Sequence, residues 1–248
     1  MIAPAPTPPS TVSSGTRIPR LSVLIPVFNE QDTIESVLAD VMAVPIDMEV
    51  IVVDDGSTDL TRERLRNIIH DDRLKIIYAP QNAGKGAAIR EALAHASGEV
   101  IVIQDADREY DPRDFLPMLA QIDAGAAVVY GTRLSTAAAR LNNEGKRDKF
   151  YYGRRLLPFV TNFLYGTRIT DEATCYKMFR RDVLTSIPLR AERFDFCPEV
   201  TAKVARRGYR IYEVPVHYHA RTEMEGKKIG WRDALEAVAA LLKFRFRD

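Results

Sequence analysis

Short apolar runs alternate with segments of helical periodicity along the first half of the chain. The apolar runs are 4 to 8 residues long, a length typical of buried strands, and they occur at residues 21–27, 49–53, 74–78, 101–104 and 126–131. Between the first two runs, one helix face is predicted from the spacing of Ile34, Val37, Leu38, Val41 and Met42. Further helices are predicted near residues 60–69, 87–96 and 112–122. This alternation predicts an α/β fold with a mostly parallel central sheet flanked by helices.

The pattern changes after Gly131. Residues 132–149 are polar, and a loop of this length in a compact domain is usually functional, so we predict an active-site loop there. Pro158 is expected in the first turn of the next helix, because proline is poorly tolerated further inside. That helix has apolar residues at Leu156, Phe159, Val160, Phe163 and Leu164. A helix after Pro198, a strand over 209–217 and a last amphipathic helix follow, the last with Trp231, Leu235, Val238, Ala239 and Leu242 on one face.

The length and composition indicate one substantial core. With 248 residues and 46% hydrophobic content, we predict a single domain over residues 20–248. The change of pattern after Gly131 divides this domain into two halves, 20–131 and 132–248. Residues 1–19 are rich in Pro, Ser and Thr without an apolar segment, so we predict a disordered tail rather than a signal peptide.

The charge distribution narrows the choice of partners. Lys and Arg total 35 against 34 Asp and Glu, a net charge of +1, which argues against a nucleic-acid-binding protein. Basic residues are concentrated at 140–155, which suits an anionic acceptor or a membrane surface, or simply a solvated loop. The chain contains no apolar run of about 18 residues, and its two cysteines are not spaced for metal binding. We therefore expect a cytoplasmic protein, with peripheral membrane association as a possibility.

Carboxylates follow two of the predicted strands. Asp105 and Asp107 come directly after one apolar run, and Asp54 and Asp55 follow another. Side chains just past the carboxyl ends of parallel strands line the ligand crevice of an α/β sheet. Mg²⁺ and Mn²⁺ prefer a few carboxylates combined with phosphate oxygens. The pattern favours a divalent metal held against substrate phosphates at the Asp105 turn.

Four motifs occur in a fixed order: PVFNE, VVDDGSTD, NAGKG and QDAD. In this order they resemble the inverting family 2 glycosyltransferases of GT-A fold, a Rossmann-like fold for nucleotide-diphospho-sugar transferases. Within that family the chain is most similar to the branch of dolichyl-phosphate mannose synthase and bacterial polyprenyl-phosphate glycosyltransferases. The resemblance covers residue 20 to the C-terminus. It implies that residues 20–131 bind the nucleotide sugar and that residues 132–248 form the acceptor side.

The resemblance implies a donor site for a UDP- or GDP-sugar. It assigns Lys85 to a loop near the nucleotide, and the glycine-flanked lysine lacks the spacing of a Walker A loop. A basic segment near the C-terminus, with Arg221, Lys227 and Lys228, would reach the diphosphate of the donor. The implied donor-binding residues are Pro26, Asn29, Glu30, Asp54, Asp55, Lys85, Asp105, Arg221 and Lys228.

The resemblance also implies a metal and an acceptor site. Asp105, Asp107 and Glu109 would hold Mg²⁺ or Mn²⁺, although the branch often has glutamine at the position of Glu109. Arg133 and Arg154 match positions that hold a lipid phosphate, and a guanidinium suits that bidentate task. We therefore expect Asp107, Arg133 and Arg154 to be catalytic. Pro158 departs from the branch, which often has a hydroxyl there.

Other activities stay open at this point. The same fold acting on a saccharide or small-molecule hydroxyl would need a general base, and Asp195 and Glu199 are the candidates. A sugar nucleotidyltransferase would also use an acidic metal site, but with a glycine-rich loop where this chain has residues 26–29. A non-catalytic nucleotide-sugar-binding or membrane-adaptor domain is a further alternative. His217 and His219, two residues apart on a predicted strand, could form a separate metal site.

Overall fold

The computed structural model describes residues 18–141, 151–220 and 231–246. These residues form a seven-stranded sheet in the order β3-β2-β1-β4-β6-β5-β7. The strands are β1 (Leu21–Val27), β2 (Met48–Asp54), β3 (Leu74–Tyr78), β4 (Val100–Ile103), β5 (Val128–Thr132), β6 (Lys177–Arg180) and β7 (Ile211–Pro215). All neighbours pair in parallel except β6, which is antiparallel to both β4 and β5. The predicted α/β fold with a mostly parallel sheet is confirmed.

Helices connect the strands and cover the sheet. Along the described chain they are α1 (Ile34–Met42), α2 (Thr61–Arg66), α3 (Lys85–Ala94), α4 (Phe115–Asp123), α5 (Thr136–Leu141), α6 (Tyr151–Tyr165), α7 (Arg181–Thr185), α8 (Phe196–Arg206) and α9 (Trp231–Phe246), with a 3₁₀ turn at Pro112–Asp114 before α4. The α3 helix packs on β1 and β2, α4 packs on β5 and β6, and α9 packs on α6 and α8.

The core lies at the centre of the sheet. Every residue of β1 and β4 is buried, and so is every residue of β2 except Glu49. Strands covered on both faces are continuously apolar instead of alternating, which is why these runs were recognisable in the sequence. The predicted inner face of α1 is also confirmed, since Ile34, Val37, Leu38 and Val41 are buried.

The second half of the chain differs from the sequence predictions in three places. The predicted polar loop at 132–149 contains the helix α5, and its residues 142–149 lie outside the described part. Pro158 is in the interior of α6, because that helix begins at Tyr151 and not near Leu156. The short strand β6 and the helix α7 were not predicted. Four residues, KMFR, are too few for periodicity to distinguish a strand from a loop.

The apolar residues noted in the sequences of α6 and α9 do not all face the core. In α9 the buried residues are Ala240, Leu241 and Phe244, whereas Leu235 and Leu242 are exposed. In α6, Leu157 is buried while Phe159 and Phe163 are 68% and 82% exposed. Both helices have apolar residues on more than one side, so periodicity alone did not determine which side faces the core.

The Glu49 carboxylate connects the amino ends of β1, β2 and β4. These ends lie opposite the strand ends that carry Asp54 and Asp105. The Glu49 carboxylate accepts hydrogen bonds from the Ser22 hydroxyl at 2.5 Å, from the Ser97 N–H at 2.6 Å and from the Gly98 N–H at 3.0 Å. Partial burial would raise the pKa of Glu49, but these hydrogen bonds outweigh it and the pKa is lowered. The ionised carboxylate therefore stabilises the folded state.

We expect Glu49→Gln to lower the free energy of unfolding by about 1–2 kcal/mol at pH 7, because charge-assisted hydrogen bonds are lost. A group with a lowered folded-state pKa contributes stability above its unfolded pKa and loses it as pH falls through the folded pKa. The difference between wild type and variant should therefore shrink below about pH 4. Urea unfolding at several pH values measures this difference in the free energy of unfolding. The control is Glu35→Gln, in the exposed Glu35–Arg64 ion pair. A pH-independent difference would contradict the assignment.

Candidate active site

The loops after β1, β2 and β4 meet at one edge of the sheet. Asn29 in the β1 loop has a left-handed backbone with φ 54°, a conformation that asparagine tolerates better than most residues. Its N–H donates to the Ser57 hydroxyl at 3.0 Å, and its side-chain oxygen accepts the Thr58 N–H at 2.8 Å. The Glu30 N–H donates to the Thr61 hydroxyl at 2.8 Å. The predicted donor-binding residues Asn29 and Glu30 are therefore fixed against the turn that follows Asp54 and Asp55.

Pro26 lies near the end of β1, where the strand still pairs with β2. Its register partner is Val53, whereas pairing with β4 ends at Leu24. Proline has no N–H to donate to a strand ladder, and its position beyond the β4 pairing avoids that loss on the β4 side. Pro26 therefore lies just beyond the point where the pairing of β1 with β4 ends.

Asp54 is fully buried at the end of β2. One carboxylate oxygen accepts the Ser57 N–H at 3.0 Å, and the other accepts from Arg62 Nε at 2.6 Å. Arg62 also donates to the Ala79 carbonyl at 2.7 Å. These bonds give Asp54 a structural role in shaping the loop, and any bond to a nucleotide would share the same oxygens.

Asp55 connects the β2 turn to the glycine-rich turn before α3. Its carboxylate accepts the N–H groups of Ala83 at 2.8 Å and Gly84 at 2.7 Å. The two turns pack backbone to backbone at Gly56, where an added Cβ would lie 2.5 Å from the Asn82 nitrogen. Gly56 also has φ 72°, which favours glycine. Asp55 thus sets the position of the turn that begins α3 at Lys85.

Lys85 and Asp105 form an ion pair at the carboxyl ends of the strands. Burial alone would lower the pKa of Lys85, but the Asp105 carboxylate more than offsets it and raises the pKa. Burial likewise opposes ionisation of Asp105, and the Lys85 ammonium lowers its pKa. Both groups are charged at neutral pH. Cys175 lies beside them, with its sulfur 3.7 Å from Lys85 Nζ.

Asp107 and Glu109 are in the turn after Asp105. Asp107 is partly exposed and one of its carboxylate oxygens accepts the Glu109 N–H at 3.1 Å. Among the described residues, no group of three or more His, Cys, Asp or Glu side chains is arranged to enclose a metal ion. A pair of carboxylates nevertheless fits Mg²⁺ or Mn²⁺, because such ions commonly bind one or two carboxylates together with substrate phosphates. Asp105 and Asp107 would supply these protein oxygens.

Arg133, at the end of β5, is held by Asp171. Its Nε and Nη2 donate to the two Asp171 oxygens at 2.7 and 2.9 Å, and its backbone N–H donates at 3.0 Å. Burial would lower the pKa of Arg133, but Asp171 outweighs it and the pKa is raised, while Arg133 lowers the pKa of Asp171. The predicted phosphate-binding arginine is therefore already in a bidentate ion pair.

Two tyrosines surround the same guanidinium. Its carbon lies 4.8 Å from the Tyr218 ring centre and 5.9 Å from that of Tyr110. The Tyr218 hydroxyl donates to Glu109 Oε2 at 3.1 Å. Burial raises the pKa of Tyr218 to about 12, so the hydroxyl remains protonated at neutral pH. Tyr218 consequently contacts both Arg133 and the Asp107–Glu109 turn, and so links the two sides of the site.

Sequence reasoning missed Tyr110, Asp171, Glu213 and Tyr218. Glu213 on β7 accepts the N–H groups of Thr170 at 2.8 Å and Asp171 at 3.0 Å, which orients Asp171 toward Arg133. The acidic pair at 171–172 was visible, but its partner is 38 residues away from Asp171. Only the pairing of β5 with β7 and β6 brings these residues together.

Three predicted site residues are not placed by this structure. The side chain of Arg154, in α6, lies outside the described part, as do Arg221 and Lys228 together with Lys227. Their roles remain predictions.

The candidate general bases differ in their surroundings. Glu199 is fully buried and forms an ion pair with Lys203 at 2.8 Å. A carboxylate without solvent or substrate access cannot take a proton from an acceptor, so the prediction of Glu199 as a base is wrong. Asp195 is partly exposed and accepts the Arg193 N–H at 3.0 Å.

The two histidines lie beyond β7, which ends at Pro215. The Nδ1 atom of His217 lies 2.8 Å from an Asp114 carboxylate oxygen. The His219 N–H donates to the Glu109 carbonyl at 2.8 Å. Within the described ranges, neither histidine joins a group of three potential metal ligands.

Comparison with known proteins identifies the family. The model of glycosyl transferase family 2 matches residues 22–187. The chain therefore belongs to glycosyl transferase family 2, and its fold is the GT-A fold. The resemblance drawn from the four motifs is confirmed, and so is the prediction of a glycosyltransferase domain.

Several relatives are polyprenyl-phosphate enzymes by name. The chain is 31% identical over 202 residues to a dolichyl-phosphate hexose transferase of Haloferax volcanii, covering 81% of this chain and 83% of that protein. It is 28% identical over 232 residues to a polyprenol monophosphomannose synthase of Mycolicibacterium smegmatis, covering 89% and 86%. A dodecaprenyl-phosphate galacturonate synthase of Rhizobium johnstonii is 27% identical over 237 residues, covering 91% of this chain. The chain spans only 66% of the length of that Rhizobium protein.

The fold is similar to that of a solved structure, with a TM-score of 0.64. That structure is glucosyl-3-phosphoglycerate synthase of Mycobacterium tuberculosis in complex with Mn²⁺, UDP and phosphoglyceric acid. The sequence identity is 22%, and the match covers 93% of this chain and 80% of that protein. At this identity the likeness establishes the fold only.

We expect Asp107→Asn to weaken metal-dependent binding of UDP or GDP by more than about tenfold, since a neutral amide is a poorer ligand for a hard cation than a carboxylate. Calorimetric titration with Mn²⁺, and again with EDTA, measures this effect. Because Asp107 is a partly exposed turn residue, thermal unfolding without ligand should change little.

The matched control is Asp111→Asn in the same loop, whose carboxylate pairs with Arg113. That variant should keep wild-type nucleotide affinity. Wild-type turnover that EDTA leaves undiminished would contradict the metal assignment.

Proposed function

We propose that this chain transfers a sugar from a UDP- or GDP-sugar to a polyprenyl or dolichyl phosphate. The proposal rests on two charged sites that Tyr218 connects. Lys85, Asp105 and Asp107 are on one side, and Arg133 is on the other. Two sites of this kind suit two substrates that both carry phosphate. The names of the polyprenyl-phosphate relatives support the acceptor class.

The donor would lie across the loops after β1, β2 and β4. Asn29, Glu30 and the Asp54–Asp55 turn would border the base and ribose, and Lys85 would meet the diphosphate. A divalent ion bound at Asp105 and Asp107 would supply Lewis-acid stabilisation of the departing diphosphate. Arg221 and Lys228 would add positive charge from the basic segment near the C-terminus.

The acceptor phosphate would approach Arg133. A guanidinium binds phosphate through two parallel hydrogen bonds, but here Asp171 already occupies two of its donors. The phosphate would therefore bind the remaining donor positions or displace part of the Asp171 contact. Arg154 is proposed as the second phosphate-binding arginine.

The chemistry would be a single in-line displacement. A phosphate monoester is already anionic near neutral pH, so its oxygen can attack the anomeric carbon without a general base. The carbon–oxygen bond to the nucleoside diphosphate breaks as the new bond forms. The side chains of this chain would contribute orientation and charge stabilisation.

A lipid acceptor requires access to a membrane. No helix among the described residues is long and apolar enough to span one. However, the packed helices α6 and α9 leave large hydrophobic side chains exposed, namely Leu156, Phe159, Phe163, Leu235, Leu242 and Phe246. Arg155, Lys243 and Arg245 are exposed on the same two helices. Apolar and basic side chains together favour the headgroup region of an anionic membrane, and we propose peripheral binding on the cytoplasmic face.

We expect the protein to co-sediment with vesicles containing anionic lipid at low salt and to be released by high salt. The double variant Phe159→Ser/Phe163→Ser should reduce the bound fraction severalfold, because burial of each phenylalanine contributes about 1.5–3 kcal/mol.

The control is Ile69→Ser, at a residue that is 89% exposed just after α2. Binding should not change in that variant. Failure of the wild type to bind vesicles at low salt would refute the membrane assignment.

Turnover with a panel of UDP- and GDP-sugars tests the proposed function directly. We expect a sugar-phosphate lipid only when polyprenyl phosphate is supplied, and none with the free polyprenol. Transfer to a saccharide hydroxyl without lipid phosphate would refute the proposal and favour Asp195 as a base. Nucleotide binding without turnover on any acceptor would indicate a binding domain, and release of pyrophosphate would indicate a nucleotidyltransferase.

We expect Arg133→Ala to raise the KM for the lipid phosphate about ten- to hundredfold and to leave donor affinity nearly unchanged, since charge-assisted hydrogen bonds contribute about 1.5–3 kcal/mol. Steady-state kinetics with each substrate varied measures the effect. Arg133→Lys keeps the charge opposite Asp171 but loses the bidentate geometry. This variant controls for unfolding as the cause of the effect in Arg133→Ala.

The matched control is Arg180→Ala. Arg180 forms a similar two-point pair with Asp182, but on an exposed surface. Its KM values should not change. Loss of donor affinity in the Arg133 variants, with acceptor KM intact, would place Arg133 on the diphosphate instead.

A further inference from the structure

Two oppositely charged side chains are fully buried in α8, one helical turn apart. Glu199 and Lys203 are each 0% exposed, and Lys203 Nζ lies 2.8 Å from Glu199 Oε1. Removing two charges from water is costly unless further hydrogen bonds satisfy them. The other hydrogen bonds of these two side chains go to one short stretch of backbone.

That stretch is residues 188–191. The Glu199 carboxylate accepts the N–H of Arg190 at 2.9 and 3.0 Å and the N–H of Ala191 at 2.7 Å. Lys203 donates to the Pro188 carbonyl at 2.6 Å. The ion pair therefore holds both ends of this stretch against α8.

The backbone that continues from this stretch packs on the turn that carries Lys85. The Ala87 N–H donates to the Glu192 carbonyl at 3.1 Å. A Cβ on Gly84 would lie 2.3 Å from the Glu192 carbonyl oxygen, and one on Gly86 would lie 2.4 Å from the Ala191 carbonyl oxygen. Contact this close allows no side chain, so the position of residues 191–192 determines the position of the Gly84–Gly86 turn.

Lys85 lies between these two glycines and pairs with Asp105. The ring of Phe194, two residues beyond Glu192, lies 5.9 Å from Lys85 Nζ. A continuous series of contacts thus runs from the buried pair through residues 188–192 and the glycine turn to the Lys85 ammonium.

We propose that Glu199 and Lys203 are positioning residues for donor binding. They hold the segment 188–192, and this segment fixes the turn that directs Lys85 toward the diphosphate. The inference rests on the proposed function, which places Lys85 on the diphosphate of the donor. It also gives Glu199, which is too buried to act as a base, a definite role.

A double-mutant cycle tests the inference. Binding of UDP and of GDP with Mg²⁺ is measured by calorimetry for Glu199→Gln, Lys85→Met and the double variant. We expect Glu199→Gln to weaken binding about tenfold and Lys85→Met to weaken it more, with the double variant equal to Lys85→Met alone, because residues acting through one group are not additive. In steady-state kinetics, Glu199→Gln should raise the donor KM and leave the acceptor KM unchanged.

A second variant covers the case in which Glu199→Gln fails to fold. Gly86→Ala leaves the ion pair intact but inserts a methyl group against the Ala191 carbonyl. It should weaken nucleotide binding in the same non-additive way. The control is Val204→Ala, at a fully buried residue of the same helix, which should lower the melting temperature without changing nucleotide affinity.

Three results would be adverse, and they separate the positioning role from the proposed function. Losses that add in the double variant, or an equal loss in Val204→Ala, would overturn the positioning role while leaving the proposed function intact. Normal nucleotide binding by Lys85→Met would overturn the donor role of Lys85 in the proposed function, and the positioning role with it.

Discussion

Charges at the carboxyl ends of the strands are held in ion pairs, and the organisation of the site depends on this pairing. Lys85 is paired with Asp105, and Arg133 is paired with Asp171. Burial shifts the pKa of each of these groups toward its neutral form, and the charge of the partner opposes that shift. All four groups are charged at neutral pH. The site therefore offers fixed charges in fixed positions, which is the arrangement that stabilises phosphates without reorganisation.

The antiparallel strand β6 explains why these two pairs are neighbours. In an all-parallel sheet, each strand would bring its carboxyl end to the site. Because β6 runs the other way between β4 and β5, the residues that precede it arrive at the same edge instead. Asp171 and Cys175 belong to that preceding segment, and they contact Arg133 after β5 and Lys85 beside β4, respectively. The proposed donor and acceptor sides are thus joined by one segment as well as by Tyr218.

Features that depend on local sequence could be predicted, whereas contacts between segments distant in sequence could not. The strands β1, β2 and β4 were predictable because burial on both faces produces unbroken apolar runs, and the position of Asp105 and Asp107 followed from the strand that precedes them. The ion pair of Arg133 with Asp171 was not predictable, because it depends on strand pairing between distant segments. Which sides of α6 and α9 contact the core was not predictable, since periodicity shows that a face is apolar but not what covers it. Glu199 was a candidate base for a hydroxyl acceptor, and its exclusion was not predictable, because its burial arises from packing and not from local sequence.

We propose that the site acts by positioning and charge and that an acceptor phosphate attacks the anomeric carbon directly. The carboxylates Asp54, Asp55, Asp105 and Asp171 are each engaged by a cation or by backbone N–H groups, which fits a role in holding loops and charges better than one in covalent catalysis. The most direct measurement is the anomeric configuration of the sugar-phosphate lipid, determined by NMR and compared with that of the nucleotide sugar supplied. A direct displacement predicts inversion, so that an α-linked donor yields a β-linked product. Retention of configuration would require a glycosyl-enzyme intermediate or a different mechanism, and would contradict the account.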